Sequence, residues 1–224
     1  MHPLDRPVWA SLTTYHSALS VGNELVRRFV PDVNMFAAAA DDSPAALAAL
    51  AQWVGPGETI FLVQAAEIVP PPGFEVVKAA KAVQMVATRS VSAEALREDI
   101  RVLAEEDAPE MLALARLTEP GPFLTRTHVM GTFRGIRKDG RLAAMAGERM
   151  RFPGYTEVSG VCTHPEFRGR GLARSLSAAV TARIEARGEQ AFLHTWKSNT
   201  AAIALYQGLG FEFRTEMNIV VLRR

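Results

Sequence analysis

Two glycines separated by a single arginine, in His164–Ala173 (HPEFRGRGLA), stand between an alternating apolar segment and an amphipathic run. Beyond the loop, Leu172, Leu176, Val180 and Ile184 recur every fourth residue, the spacing of one helix face. The loop therefore opens a helix, where unsatisfied N–H groups and the positive end of the helix dipole favour an anion. Gly169 and Gly171 let backbone amides approach such a group closely. Arg168, Arg170 and Arg174 add positive charge around it. A tight turn with no ligand would use the same glycines. Spacing excludes two other phosphate loops. No G-x-x-x-x-G-K-[ST] string occurs, and the third position of a G-x-G-x-x-G fingerprint is Arg174.

Charge and cysteine usage narrow the class. Lys and Arg number 25 against 24 Asp and Glu, a formal net charge of +1, so neither a nucleic-acid surface nor a membrane partner is expected. Cys162 stands alone, which excludes an internal disulfide framework and a multi-cysteine zinc site. The five histidines, at 2, 16, 128, 164 and 194, include no pair at helical ligand spacing, so no metal is expected. The first residues carry no basic and apolar leader pattern, and Asp41, Asp42 and Pro44 break the richest apolar run. A cytoplasmic location is the expectation.

Along the chain, strand and helix signals alternate. Val33–Ala39 reads as a short strand, and Ser43 caps a helix over Pro44–Val54 with proline at its first position. Glu58–Gln64 and Val83–Thr88 read as strands, with a proline-rich turn at 69–74 between them. From Ile100, a short strand precedes a helix over Met111–Leu117, with Asp107 and Glu110 at capping-box spacing. Asp139-Gly140 predicts a hairpin between Thr132–Arg137 and Leu142–Arg149. Residues 154–164 supply a further antiparallel strand. After the glycine loop come a helix to about Arg187, a strand at 191–196, a helix at 200–209 and a terminal pair of strands.

The downstream half of this pattern carries a resemblance. R-x-x-G-x-A over Arg168–Ala173 is followed by N-x-x-A-x-x-x-Y-x-x-x-G-F over Asn199–Phe211. In that order and spacing the two resemble the GNAT superfamily of acyl-CoA-dependent N-acyltransferases. The resemblance runs from about Ile100 to the C-terminus. It implies an α/β (α+β) fold with a mixed, mostly antiparallel sheet flanked by helices. Acetyl-CoA or another acyl-CoA is implied as co-substrate, with main-chain amides of Gly169, Arg170, Gly171, Leu172, Ala173 and Arg174 on the pyrophosphate. Arg168 belongs to the same loop. Val161, Cys162 and Thr163 would pair with the pantetheine arm as a strand would, and Asn199 would lie near its thiol end. Thr163 stands where the family commonly has valine, a change of little consequence for a backbone contact.

Acyl transfer to an amine needs a neutral nucleophile, a stabilised carbonyl oxygen, a proton for the thiolate and alignment of both substrates. Tyr206 matches the family's thiolate-protonating tyrosine. For the base, Glu157 on the strand before the loop and His194 on the next strand are both candidates. Each also has a structural reading, as a strand charge or a core histidine. Cys162 as a covalent nucleophile lacks an activating partner in the sequence, and a small buried hydrophobe fits it better. Glu105, Glu106 and Asp107 coincide with a helix start and suit its dipole.

The expected organisation is an N-terminal α/β lobe over 1–94 and the GNAT-like domain over 95–224. The first part is either a degenerate second lobe, as in glycine N-acyltransferase-like proteins, or a cap over the acceptor pocket. The short stretch around 88–97 leaves little room for a linker. The function expected is transfer of an acetyl or short acyl group to a primary amine, of a small molecule or a peptide, in a ternary complex. A non-catalytic acyl-CoA-binding protein of the same fold is the alternative. The resemblance also makes a homodimer reasonable.

Overall fold

The computed structural model describes residues 2–91 and 99–224. Two sheets form. Strands β1 (Ser20–Gly22), β2 (Val26–Phe29) and β3 (Ala37–Ala39) make a small antiparallel sheet near the N-terminus. The other eight are β4 (Thr59–Gln64), β5 (Glu75–Ala87), β6 (Ile100–Val102), β7 (Phe133–Lys138), β8 (Arg141–Phe152), β9 (Tyr155–Thr163), β10 (Gln190–Trp196) and β11 (Phe211–Arg223). They pair in the order β4-β11-β5-β10-β9-β8-β7-β6. Only β9 and β10 run parallel; the other neighbours are antiparallel. The helices are α1 (Pro7–Leu12), α2 (Pro44–Gln52), α3 (Ala108–Thr118), α4 (Leu172–Glu185) and α5 (Thr200–Gln207).

Local chemistry explains much of this order. The Ser43 hydroxyl accepts the Ala46 N–H at 3.2 Å and Pro44 fixes the first turn of α2. Lys138 pairs with Arg141 across Asp139-Gly140, whose φ values of 53° and 75° are those of a two-residue hairpin turn. In α4 the residues at 172, 176, 180 and 184 are all buried against the sheet. Asp107 does not cap α3, however. Its carboxylate accepts the Ala104 N–H at 2.9 Å and, together with Glu110, binds Arg137. The acidic cluster is thus partly an ion-pair station on β7.

Two strands differ from expectation. The terminal pair is one 13-residue strand, β11, with register shifts at Phe213/Thr215 and Val221/Leu222. A bulge adds a residue and bends a strand without ending it, which a pattern of alternation registers as a break. On the other side of β5, residues 75–81 join the strand although only Val83–Thr88 looked extended. That half is largely exposed, and its ladder with β11 rather than burial holds it straight.

Residues on either side of the boundary expected at 94–95 share one sheet. β5 lies between β10 and β11, with His194 opposite Gln84 and Thr215 opposite Gln84 on its other edge. They also share a core, in which Leu4, Val8, Phe29 and Phe36 pack with Met150, Phe152, Phe192 and Met217. The stretch at 88–97 read as linker-poor falls mostly outside the described residues. We propose that the two parts fold as one cooperative unit. Expressed alone, residues 95–224 would leave β11 without either neighbour, one edge of β10 unpaired and part of an apolar core open to water. The fragment is expected to aggregate or to bind a hydrophobic dye without a cooperative urea transition. A soluble fragment with a sharp transition would overturn that expectation.

Candidate active site

The parallel pairing of β9 with β10 is brief. It covers Tyr155–Glu157 against Gln190–Phe192 and then stops. Beyond it β10 stays with β5 through Trp196, and β9 stays with β8 through Thr163. The two strands part, leaving the β10-facing edge of Val158–Thr163 open. A cavity of about 250 Å³ occupies the fork, lined among others by Val158, Ser159, Gly160, Val161, His194 and Tyr206. A register shift between Met145/Cys162 and Gly147/Ser159 places a bulge at Gly160, whose φ is 61°. A bulge takes backbone out of the ladder, so polar main chain is available on the cavity wall.

The glycine loop sits at the end of the open strand. Gly169 and Gly171 have φ of 75° and 73°, and a Cβ on either would meet nothing within 4 Å. The space above the loop is therefore open and the conformation is one glycine adopts freely. The first turn of α4 bonds from Ser175 N–H to Gly171 O at 3.1 Å, so the N–H groups of Leu172, Ala173 and Arg174 have no partner within the helix. A phosphate group fits this donor set. The arginines brace the loop as well as charging it. Arg168 donates to Thr163 O at 3.3 Å, Arg170 to Glu166 O at 3.3 Å and Arg174 to Gly208 O at 2.8 Å. The Thr163 hydroxyl is buried without a partner at the end of the open edge. Cys162 points the other way, into the cluster of Met111, Leu114, Phe133 and Met145. Burial pushes its thiol up to about 11, so it offers backbone rather than a nucleophile.

At the closed end of the fork lies a buried polar chain. Glu157 is fully buried, and Arg149 binds it in a fork at 2.7 Å to each oxygen. His194 Nδ1 is 2.8 Å from Glu157 Oε1, and Met150 N–H reaches Oε2 at 3.4 Å. Burial alone would raise the carboxyl, but the charge and hydrogen bonds of Arg149, with His194 adding to them, hold it down at about 2. On its other side His194 Nε2 is 3.0 Å from Gln84 Nε2. The Gln84 amide is oriented by Arg214, which donates to its Oε1 at 2.9 Å, and by Leu4 O, which takes its N–H at 2.9 Å. His194 Nε2 is therefore an acceptor, and Nδ1 carries the hydrogen that goes to Glu157. Arg214 is the extra residue of the β11 bulge and also binds Asp5 at 2.7 Å.

Tyr206 and Asn199 come from α5. The Asn199 side chain caps this helix, accepting the Ala202 N–H at 3.1 Å, and lines the cavity. Tyr206 is 8% exposed and lines the same cavity. Burial raises its phenol to about 12. It is protonated throughout the neutral range. The structure thus brings Tyr206, His194, Asn199 and the Val161 backbone to one cavity and puts Glu157 behind its wall.

Three members of this site went unnoticed in the sequence: Arg149, Gln84 and Arg214. The first two carried a signal. Gln84 lies between Val83 and Met85 in an apolar strand, and Arg149 follows the apolar run of β8. A polar group inside such a pattern requires a partner once buried. The bulge that aims Arg214 left no trace in the pattern. No metal-holding group of side chains occurs among the described residues, and no helix there is long and apolar enough to cross a membrane.

Comparisons with known proteins converge on one family. A family model described as FR47-like protein matches residues 133–220. A crystal structure of a GNAT-family protein from Novosphingobium aromaticivorans DSM 12444 has 48% identity and a TM-score of 0.94, covering 100% of this chain and 99% of that one. A GCN5-related N-acetyltransferase from Kribbella flavida shares the fold at 22% identity and a TM-score of 0.66, covering 100% and 96%. Among curated proteins, a mycothiol acetyltransferase of Thermobispora bispora is 46% identical over 56 residues, 25% of this chain and 19% of that protein. The chain therefore matches about a fifth of that relative's length.

The buried carboxylate makes stability depend on acidity. A group held at about 2 in the fold and at its ordinary 4.5 when unfolded stabilises the protein above pH 4.5, and the contribution is lost as pH falls through 2. Its size is on the order of 3 kcal/mol. In Glu157→Gln that acid-side loss should shrink, while Arg149 left without its partner should cost about 3–5 kcal/mol at pH 7. Urea unfolding at pH 7 and pH 3 measures both, and equal stability of the two proteins at pH 7 would overturn the assignment.

Proposed function

The chain belongs to the GNAT family of acetyltransferases, and from that premise we propose that it moves an acetyl or other short acyl group from acyl-CoA to a primary amine by direct attack in a ternary complex. The observation that carries this reading is the fork itself. An open strand edge leads from an anion-binding helix start to a cavity that holds a buried phenol. A thioester laid along that edge would have its pyrophosphate on the amides of Gly169–Arg174 and its sulfur toward Tyr206. When bound, it supplies the activated acyl group.

In this reading the residues divide the work. Main chain of the β9 bulge near Gly160 offers a donor for the carbonyl oxygen as charge develops there. The amine nitrogen attacks the carbonyl carbon, the C–S bond breaks and Tyr206 protonates the departing thiolate. Tyr206 regains its proton from the nitrogen, which becomes the amide. With its phenol near 12, Tyr206 keeps that proton to hand at every pH where the protein would work. Glu157 and His194 have their proton-accepting positions engaged, by Arg149 and by Gln84. They hold the cavity wall, and the amine reaches the attacking form by losing its first proton to water. Asn199 fixes the start of α5 and so the position of Tyr206.

Free-thiol release from acetyl-CoA, measured over a panel of amines and amino acids, tests this proposal. Tyr206→Phe should lower amine-dependent release by about a hundredfold or more with acetyl-CoA binding unchanged. The wild-type rate should show no fall that can be assigned to tyrosine ionisation below about pH 10. Binding of acetyl-CoA with no release on any amine would favour the non-catalytic acyl-CoA-binding alternative. Absence of binding would remove the co-substrate assignment altogether.

A further inference from the structure

A second hollow, of about 470 Å³, adjoins the fork. The two share Phe61, Glu119, Gly121, Pro122, Trp196 and Ile219 as a common wall. The second hollow's other lining residues include the apolar Met35, Phe123 and Val221 and the cations Lys78 and Arg116. Lys78 already covers the Trp196 ring, 5.0 Å from its centre. Arg149 lines the fork. Among the described lining residues of both hollows, Glu119 is the single carboxylate. The other formal charges on the two linings are those of Lys78, Arg116 and Arg149, the last already paired with Glu157.

The backbone at Glu119 is the second observation. Only two described residues other than glycine have positive φ. Asp139 is accounted for by its hairpin turn. Glu119, at φ 49° and ψ 54°, ends α3 in the left-handed conformation, with its N–H on Ala115 O at 2.8 Å. Helix ends of this shape favour glycine or asparagine, so a glutamate here works against local preference. Pro120 and Pro122 follow and stiffen the segment. The Glu119 carboxylate has no hydrogen-bond or ion-pair partner among the described residues. An exposed glutamate set against its backbone preference at the junction of two hollows leaves its carboxylate open to a ligand.

We propose that Glu119 docks the ammonium of the acceptor, and that Lys78 and Arg116 restrict the acceptor to amines with an apolar body that also carry an anionic group. The inference deepens the acyltransferase reading and rests on it for the identity of the fork. Before attack the ammonium gives up one proton to water beside Glu119, and the free amine then faces the thioester position.

The probes are 4-(aminomethyl)benzoate, its counterpart without the amine, 4-methylbenzoate, and its counterpart without the carboxylate, benzylamine. Binding to the protein loaded with coenzyme A is measured by calorimetry. The expected result is that the amino acid binds more tightly than both counterparts. In Glu119→Gly and Glu119→Gln its Kd should rise by about tenfold or more, with coenzyme A affinity unchanged. Glycine adopts the left-handed conformation without strain, so Glu119→Gly should fold as well as the parent. Glu119→Asp should recover part of the affinity. Equal binding of 4-methylbenzoate, no effect of either neutral variant, or no binding of the amino acid at all would overturn the ammonium site. Equal binding of benzylamine would overturn the role of Lys78 and Arg116. Glu119-dependent binding of 4-(aminomethyl)benzoate, with no thiol release from acetyl-CoA on it or on any amine of the panel, would leave the ammonium site standing and sink the acyltransferase reading.

Discussion

A carboxylate withdrawn completely from water, Glu157, obliges its neighbours to be where they are. An ionised group at that depth is tolerable only if its lone pairs are filled and its charge is met. Arg149 supplies the charge and two hydrogen bonds, and His194 fills a further position. His194 then needs a donor on its second nitrogen, which is Gln84, and Gln84 needs Arg214 and Leu4 O to hold its amide the right way round. The chain of requirements crosses β8, β9, β10, β5 and β11 and ends on Asp5 near the N-terminus. It includes Glu157, the last residue of β9 that pairs with β10, so the network stands where the fork opens.

The two ends of the fork are built from different materials. In the proposed function the surface at the loop is backbone: amides at the start of α4 and an open strand edge, on which side-chain identity has little influence. Thr163 in place of a valine illustrates this, since its hydroxyl is left unused while the strand remains. At the junction with the second hollow the surface is side chains, with one carboxylate among cations and apolar groups. Backbone recognition suits a co-substrate shared across a family. Side-chain recognition suits an acceptor that differs from one member to the next.

That division also governs what could be read in advance. The glycine loop, the apolar face of α4, the hairpin at Asp139-Gly140 and the capped α2 are local features, each fixed by residues a few positions apart. Tyr206 and Asn199 were singled out because their spacing from the loop repeats a family pattern. Gln84 and Glu119 escaped notice, although both break a local rule. One is an amide inside an apolar strand, and the other is a glutamate at a helix end that favours glycine. Arg214 had no local signal, since a bulge depends on the partner strand for its register. The exposed half of β5 went unread for the same reason: its conformation comes from the β11 ladder.

The sequence by itself determined the class of fold, the glycine loop that opens α4 and the helix that carries Tyr206. These follow from periodicity, turn chemistry and helix termini, whose range is one or two turns of chain. Only the tertiary structure decided that the first part of the chain completes the sheet, that Glu157 is buried against Arg149 behind the cavity wall, and that His194 lies between Glu157 and Gln84. Those outcomes depend on which residues from distant segments are excluded from water together. Burial turns a carboxylate into either a base or an anchor according to what is buried beside it.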